Sequence, residues 1–294
     1  MRDGIIEIIK YMLMEWRQFM NYKKIIVGVF SLSLLALSFL GCSNGEKETS
    51  TPVAADKEIV VGVTPGANGE IMEFFKGEAE KQGLKIKIVE FSDYITPNEA
   101  LNNGEIDINA FQHKPFMENA IKEKGYKIID IGKTIIAPMA IYSNKIKSLD
   151  EIKDGSKMAI PNDPTNGGRA LLLLQSAKLI KLKDNVGFSP SVQDIIENPK
   201  HLQIFELEAA QIPRSLNDMD FAAVNMNYAV NAKLDPKKDA ILVESKDSAY
   251  ANVLAVREAD KDNPQLQKFV QLYQSEAVHN FILDRFAGSV IPVF

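Results

Sequence analysis

Hydrophobic residues in this chain fall into short runs that alternate with stretches of helical period, and the alternation begins near Glu58. Residues 58–63 are a compact apolar run, which predicts a strand. Ile71, Phe74, Phe75 and Ala79 then recur at a spacing that marks one helix face, ending near Gly83. Residues 85–91 predict a second strand with Ile86 and Ile88 on one side. Thr96-Pro97-Asn98-Glu99 predicts a capping box with proline at the first helical position, and Gly104 closes that helix. Residues 106–110 predict a short buried strand, Pro115 opens another helix, and 126–131 return to a strand.

The rhythm then repeats. Residues 134–143 form a long extended run, Ser148-Leu-Asp-Glu151 predicts another capping box, and 157–161 predict a strand. A leucine-rich helix is predicted over 168–181, a short helix after Ser191, and strands at 202–207 and 221–225. Residues 241–244 and 251–256 read as extended, and two helices follow from Pro264 to about Arg285. Strands alternating with helices predict an α/β architecture with mainly parallel sheets. The extended runs at 134–143 and 247–256 predict two lobes linked by two crossover strands, with 58–136 plus 251–294 as lobe 1 and 137–250 as lobe 2.

Upstream of this body the pattern changes. Lys23-Lys24 precedes an uncharged apolar run over 25–40, long enough for the core of an export signal but short of the roughly twenty residues a spanning helix needs. Gly41-Cys42-Ser43 follows, so Ser38-Phe-Leu-Gly-Cys42 reads as a lipobox. On that reading 1–41 are a signal peptide, and 42–57 are a lipidated Cys42 with a flexible polar tether. An uncleaved N-terminal anchor is the alternative, although a free thiol without a partner in an exported chain favours lipidation. Residues 1–19 do not fit a signal, whereas Met20-Asn-Tyr-Lys-Lys24 opens one on its basic segment. Met14-Glu-Trp-Arg17 back-translates to a purine-rich stretch suited to a ribosome-binding site. Translation is therefore expected to start at Met20, with 1–19 a mistaken extension.

Composition narrows the function classes. The 294 residues, 46% hydrophobic, suffice for one large domain or two lobes. A net charge of -5, without a dense Lys/Arg block, argues against a nucleic-acid binder. His113, His201 and His279 lie far apart, and with Cys42 as the one cysteine they make no metal-ligand spacing. No Ser/His/Asp arrangement is visible, so no catalytic residue, metal or cofactor is expected and the chain reads as a non-enzyme. Thr64-Pro65-Gly66-Ala67-Asn68-Gly69 lacks the Lys-Ser/Thr of a phosphate loop and reads as a flexible turn near a cleft mouth.

Three blocks carry a resemblance. They are Phe91-Ser-Asp-Tyr94 with Pro97-Asn98-Glu99-Ala100-Leu101, Asn109-Ala-Phe-Gln-His-Lys-Pro115, and Pro161-Asn-Asp-Pro-Thr-Asn-Gly-Gly-Arg169-Ala-Leu-Leu-Leu-Leu174. They resemble the signature of the methionine-binding lipoproteins, the NlpA or MetQ-type substrate-binding proteins of bacterial ABC importers. The likeness runs through nearly all the chain after Asp56. It implies a two-lobed, periplasmic-binding-protein-like (type II) α/β fold with methionine held between the lobes. It also implies two partners: an ABC permease with its separate ATPase subunit, and the cell membrane, reached through lipid on Cys42 from the extracytoplasmic side. Residue identity does not choose among L-methionine, D-methionine, a methionine-containing dipeptide and another small amino acid. A surface adhesin or signalling lipoprotein also stays open.

A free amino acid needs a bidentate cation for its carboxylate, acceptors for its ammonium and a shaped apolar slot. Arg169 is the carboxylate candidate, placed where Thr165-Asn-Gly-Gly168 would pass into a helix whose N-terminal field adds to its charge. A solvated first-turn arginine is the plain alternative. Asn225 and Asn227 follow Phe221-Ala-Ala-Val224, at the carboxyl end of a strand, where open α/β sheets hold ligands. The resemblance gives Asn225 a contact with the amino acid, while a turn asparagine capping the next helix is the other reading. Tyr94, Phe111 and His113 are candidates for the apolar slot, since aromatic ring edges attract a thioether. Ordinary core packing and a structural histidine are the alternatives there.

Overall fold

The computed structural model describes residues 57–294. The expectations for the export signal, the start at Met20, lipidated Cys42 and the tether up to residue 56 lie outside the described residues. The first run of elements is β1 (Ile59–Val63), α1 (Ala67–Lys81), β2 (Ile86–Glu90), α2 (Thr96–Asn103), β3 (Ile108–Asn109), α3 (Lys114–Lys124) and β4 (Ile128–Ile136). Next come β5 (Ala140–Tyr142), β6 (Lys157–Pro161), α4 (Pro164–Ser176), β7 (Lys181–Leu182), β8 (Ile195–Glu197), β9 (Gln203–Leu207) and α5 (Ile212–Ser215). The chain continues through β10 (Phe221–Val224), α6 (Met226–Asn231), β11 (Ala240–Val243), β12 (Ala251–Arg257), α7 (Pro264–Tyr273), α8 (Glu276–Phe286) and β13 (Ile291–Pro292).

Two large sheets organise the lobes, a six-stranded one in the order β13-β4-β12-β3-β1-β2 and a five-stranded one in the order β11-β5-β10-β6-β9, and β7 and β8 form a separate two-stranded sheet. The chain passes from the first to the second across 137–139 and returns across 244–250. β1 pairs parallel with β2 and β3, and β6 pairs parallel with β9 and β10. β12 runs antiparallel to β4, and β11 antiparallel to β5. The expectation of mainly parallel sheets is thereby corrected to mixed ones. The strand that leaves each lobe lies beside the strand that returns, so those two must point opposite ways.

Alternate strand residues serve different cores, which is why these segments read as unbroken apolar runs. Ile59, Val61 and Val63 of β1 join one cluster while Val60 packs against another. In the second sheet Phe221 and Ala223 of β10 face one way, and Ala222 and Val224 the other. Helices therefore cover both faces of each sheet. α1, α7 and α8 share one layer, where Phe75 meets Phe269 and Tyr273 edge-on at 4.8 and 5.2 Å and Phe74 stacks on Phe281 at 4.1 Å. Such pairs add about 0.5–1.5 kcal/mol each beyond the area they bury.

Several local expectations are corrected. Thr96 is already helical, and the chain is turned by the Asp93 carboxylate, which accepts the Ile95 and Thr96 N–H groups at 2.7 and 2.8 Å. Ser148 makes no side-chain cap and precedes a single 3-10 turn. The segment after Ser191 is likewise a 3-10 turn, and there a reciprocal Ser191–Asp194 capping box is present. The extended run over 134–143 breaks between Ile136 and Ala140, where Pro138 has no N–H for a ladder. The leucine-rich helix covers Pro164–Ser176 rather than 168–181. Its N-cap is Asp163, which accepts the Asn166 N–H at 2.9 Å, and Pro164 takes the first turn. Gly167 and Gly168 sit inside that helix because it packs so tightly. A Cβ on Gly167 would lie 2.7 Å from the Pro161 carbonyl oxygen, and one on Gly168 2.7 Å from the Pro190 ring. Among the described residues no helix is long and apolar enough to cross a membrane.

Candidate functional site

The carboxyl ends of both sheets and the chain segments between them line one cavity. From the first lobe come Ala67 and Asn68 at the start of α1, Tyr94 in the loop after β2, and Phe111, Gln112, His113 and Phe116 around the start of α3. From the second come Asn166 and Arg169 of α4 and the stretch Asn225, Met226 and Asn227 after β10. All six residues singled out in the sequence, Tyr94, Phe111, His113, Arg169, Asn225 and Asn227, line this one cavity.

Their hydrogen bonds fix which atoms face the space. The His113 Nδ1 accepts the Phe116 N–H at 3.1 Å and caps α3, so the neutral ring carries its proton on Nε2. Nε2 then donates to the Asn166 Oδ1 at 3.1 Å. Burial and the nearby Arg169 charge hold the His113 pKa down to about 3. The Asn166 amide is oriented by its other end, which donates to both oxygens of Asp163 at 3.1 and 3.0 Å. With its oxygen thus committed as an acceptor, Asn166 takes a second bond from the Asn225 Nδ2 at 2.8 Å. Asn225 occupies the N-cap position of α6 but makes no side-chain cap. Across the cavity the Tyr94 hydroxyl donates to the Asn227 Oδ1 at 2.5 Å, and burial pushes the Tyr94 pKa far up, keeping that proton in place.

Two amide atoms are left over. Among the described residues the Asn225 Oδ1 and the Asn227 Nδ2 are buried without a hydrogen-bond partner, a lone acceptor and a lone donor. A buried polar atom without a partner costs about 1–3 kcal/mol. The Tyr142 and Tyr250 hydroxyls also lack a partner among the described residues, but neither residue lines the cavity. Tyr94, Phe111 and Phe116 lie with ring centroids 5.9–6.1 Å apart and form the aromatic part of the wall.

Arg169 differs most from its expected setting. It lies in the second turn of α4, not at a helix N-terminus, and it is not a free cation. The Glu244 carboxylate accepts from Nε at 2.9 Å and also from Nη2, which donates in addition to the Ala137 carbonyl oxygen at 3.0 Å. Nη1 makes no hydrogen bond among the described residues. The segment at Thr64–Gly69 is corrected too: Thr64 is fully buried and α1 begins at Ala67. Gly66 has φ +92 and lies so close to the second lobe that a Cβ would sit 2.7 Å from the Asn227 carbonyl oxygen. Sequence reasoning missed Asn68, Asn166 and Glu244. Asn166 lay within the Pro-Thr-Asn-Gly-Gly-Arg block, whereas nothing local distinguishes Glu244.

The NlpA lipoprotein family model matches residues 59–294. The D-methionine-binding lipoprotein MetQ of Salmonella typhimurium is 50% identical over 259 residues, 87% of this chain and 93% of that protein. A nutrient binding protein from Burkholderia cenocepacia, solved bound to methionine, is 48% identical with a TM-score of 0.78 over 80% of this chain and 100% of that one. A periplasmic substrate-binding protein of an ABC transporter from Coxiella burnetii is 47% identical with a TM-score of 0.77 at the same coverages. The fold, the cavity and a family match spanning the whole described body lead to one conclusion: the chain belongs to the NlpA lipoprotein family.

Proposed function

We propose that this chain is the extracytoplasmic substrate-binding lipoprotein of an ABC importer and that its cavity takes free methionine. The observation that carries this is the pair of unpartnered buried amide atoms in a cavity that also holds a guanidinium and three aromatic rings. A zwitterion supplies what each lacks: its ammonium donates to the Asn225 Oδ1, and its carboxylate accepts from the Asn227 Nδ2 and the Arg169 Nη1. The thioether side chain then lies against Tyr94, Phe111 and Phe116, where sulfur–aromatic contact adds about 0.3–1.5 kcal/mol. The names and the methionine-bound state of the relatives support the same ligand.

Delivery follows from the two lobes. Ligand bridging both sides of the cavity favours the closed form, and the closed form docks on the permease, which a separate ATPase drives. The anchor is lipid on Cys42, so Cys42→Ala is expected to move the protein from the membrane to the soluble fraction; continued retention speaks for an uncleaved anchor. Titration calorimetry on protein stripped of ligand is expected to show saturable, one-to-one binding of L-methionine, with D-methionine as the comparison. Absence of any methionine-dependent heat or thermal shift contradicts the assignment.

A further inference from the structure

Glu244 lies behind the cavity, not in it. It borders an outer groove together with Lys237 and Lys246, while Arg169 borders the cavity. The two form a forked pair through Nε and Nη2, with Arg169 and Glu244 only 4% and 13% exposed. Solvent screens such a pair weakly. A Glu244 oxygen also accepts the Met139 N–H at 3.2 Å, and the Tyr250 ring lies 4.5 Å from the guanidinium carbon. Both segments that join the lobes, 137–139 and 244–250, thus converge on this one ion pair. Lys237 donates to the Ala287 carbonyl oxygen at 2.6 Å, and Asp163 is bonded to Asn166 and Thr165.

We propose that Glu244 is a specificity-determining positioning residue: by balancing Arg169 it keeps the polar end of the cavity electrically neutral, so that the site selects zwitterions over anions. This rests on reading the cavity as an amino-acid site. An unbalanced buried guanidinium attracts any carboxylate, whether or not the ligand brings an ammonium. Beside Glu244 the same guanidinium still directs a hydrogen bond from Nη1, but the net field at the ligand is small. An acid without an ammonium then gains little. A ligand that also brings an ammonium gains the Asn225 Oδ1 in addition, so a ligand carrying both charges is favoured.

The test compares the wild-type protein with Glu244→Gln, which keeps the shape and one acceptor but removes the charge. The probes are methionine, 4-(methylsulfanyl)butanoate, which lacks the ammonium, and 3-(methylsulfanyl)propylamine, which lacks the carboxylate, in competition calorimetry. The butanoate-to-amine affinity ratio is expected to rise by about tenfold or more in Glu244→Gln, because the guanidinium that borders the cavity then loses its balancing charge. A purely structural role weakens all three probes alike, and an unchanged ratio overturns the proposal. A wild-type preference for the butanoate of about a hundredfold or more also overturns it, without need of a variant that folds. So does failure of both analogues to compete in either protein. Failure of the wild type to bind methionine itself is a different result and strikes the assignment of the cavity instead.

Discussion

Asn225 and Asn227 stand two positions apart yet offer opposite atoms to the cavity, because their neighbours orient the two amides in opposite senses. Asp163 fixes Asn166, Asn166 holds the Asn225 Nδ2, and the acceptor end of Asn225 is left free. Tyr94 holds the Asn227 Oδ1 and leaves a donor. Asn225→Ala is expected to weaken methionine binding by about 1–3 kcal/mol in calorimetry. Arg169→Ala is expected to cost about 2–5 kcal/mol of binding and, because Glu244 loses its counter-ion, about 3–5 kcal/mol of stability in urea denaturation. Wild-type affinity in either variant removes that residue from the site. His113 gives a pH signature. Its folded-state pKa is about 3 against 6.5 for a free histidine, so the unfolded chain binds the extra proton between those values. The stability that neutral His113 contributes is complete above about pH 6.5 and is lost as pH falls toward 3, by at most about 1.4 kcal/mol per pH unit. His113→Asn retains a capping side chain and is expected to flatten this slope; equal slopes in both proteins contradict the assignment of the proton. At this scale the sequence shows residue types well and partners poorly. Asn225 was legible because an amide stands at a recognisable strand end, and Arg169 because it closes the Pro-Thr-Asn-Gly-Gly block, although its place inside the helix was misread. Glu244 was not, because its partner lies 75 positions away and no spacing encodes that.

Elements were legible where burial on both faces produced continuous apolar runs, as in β1, β6 and β10. Their ends were less so. The start of α4 was misplaced because Gly167-Gly168 reads as a breaker, whereas the Asp163-Pro164 pair is what begins the helix. Those glycines serve contact with Pro161 and Pro190, which no local pattern displays. The entry into α1 was misread for a related reason: glycine at 66 serves a positive φ and a close approach to the other lobe, not flexibility. Gly66→Ala is therefore expected to lose methionine affinity by more than it loses stability. The backbone strain costs about 1–3 kcal/mol, and the added methyl also obstructs the contact with Asn227 that closes the cavity. Equal losses in calorimetry and thermal melting speak against a role for Gly66 in closure.

At the scale of the molecule, two mixed sheets joined by two short segments place the cavity between groups that neither lobe supplies alone. The existence of two lobes was legible from the repeated strand–helix rhythm and its extended joints. The antiparallel pairing across those joints was not, since strand direction appears only when the chain's return is followed in space. Ligand that binds only the folded, closed form should stabilise it by about 2.7 kcal/mol at a hundred times the dissociation constant. A melting temperature indifferent to methionine is the contrary result. The most direct measurement is a crystal structure of the protein with methionine. The ligand carboxylate is expected at the Asn227 Nδ2 and the Arg169 Nη1, the ammonium at the Asn225 Oδ1, and the sulfur among Tyr94, Phe111 and Phe116. Methionine seated with its charged groups reversed, or an empty cavity with methionine bound elsewhere, contradicts it.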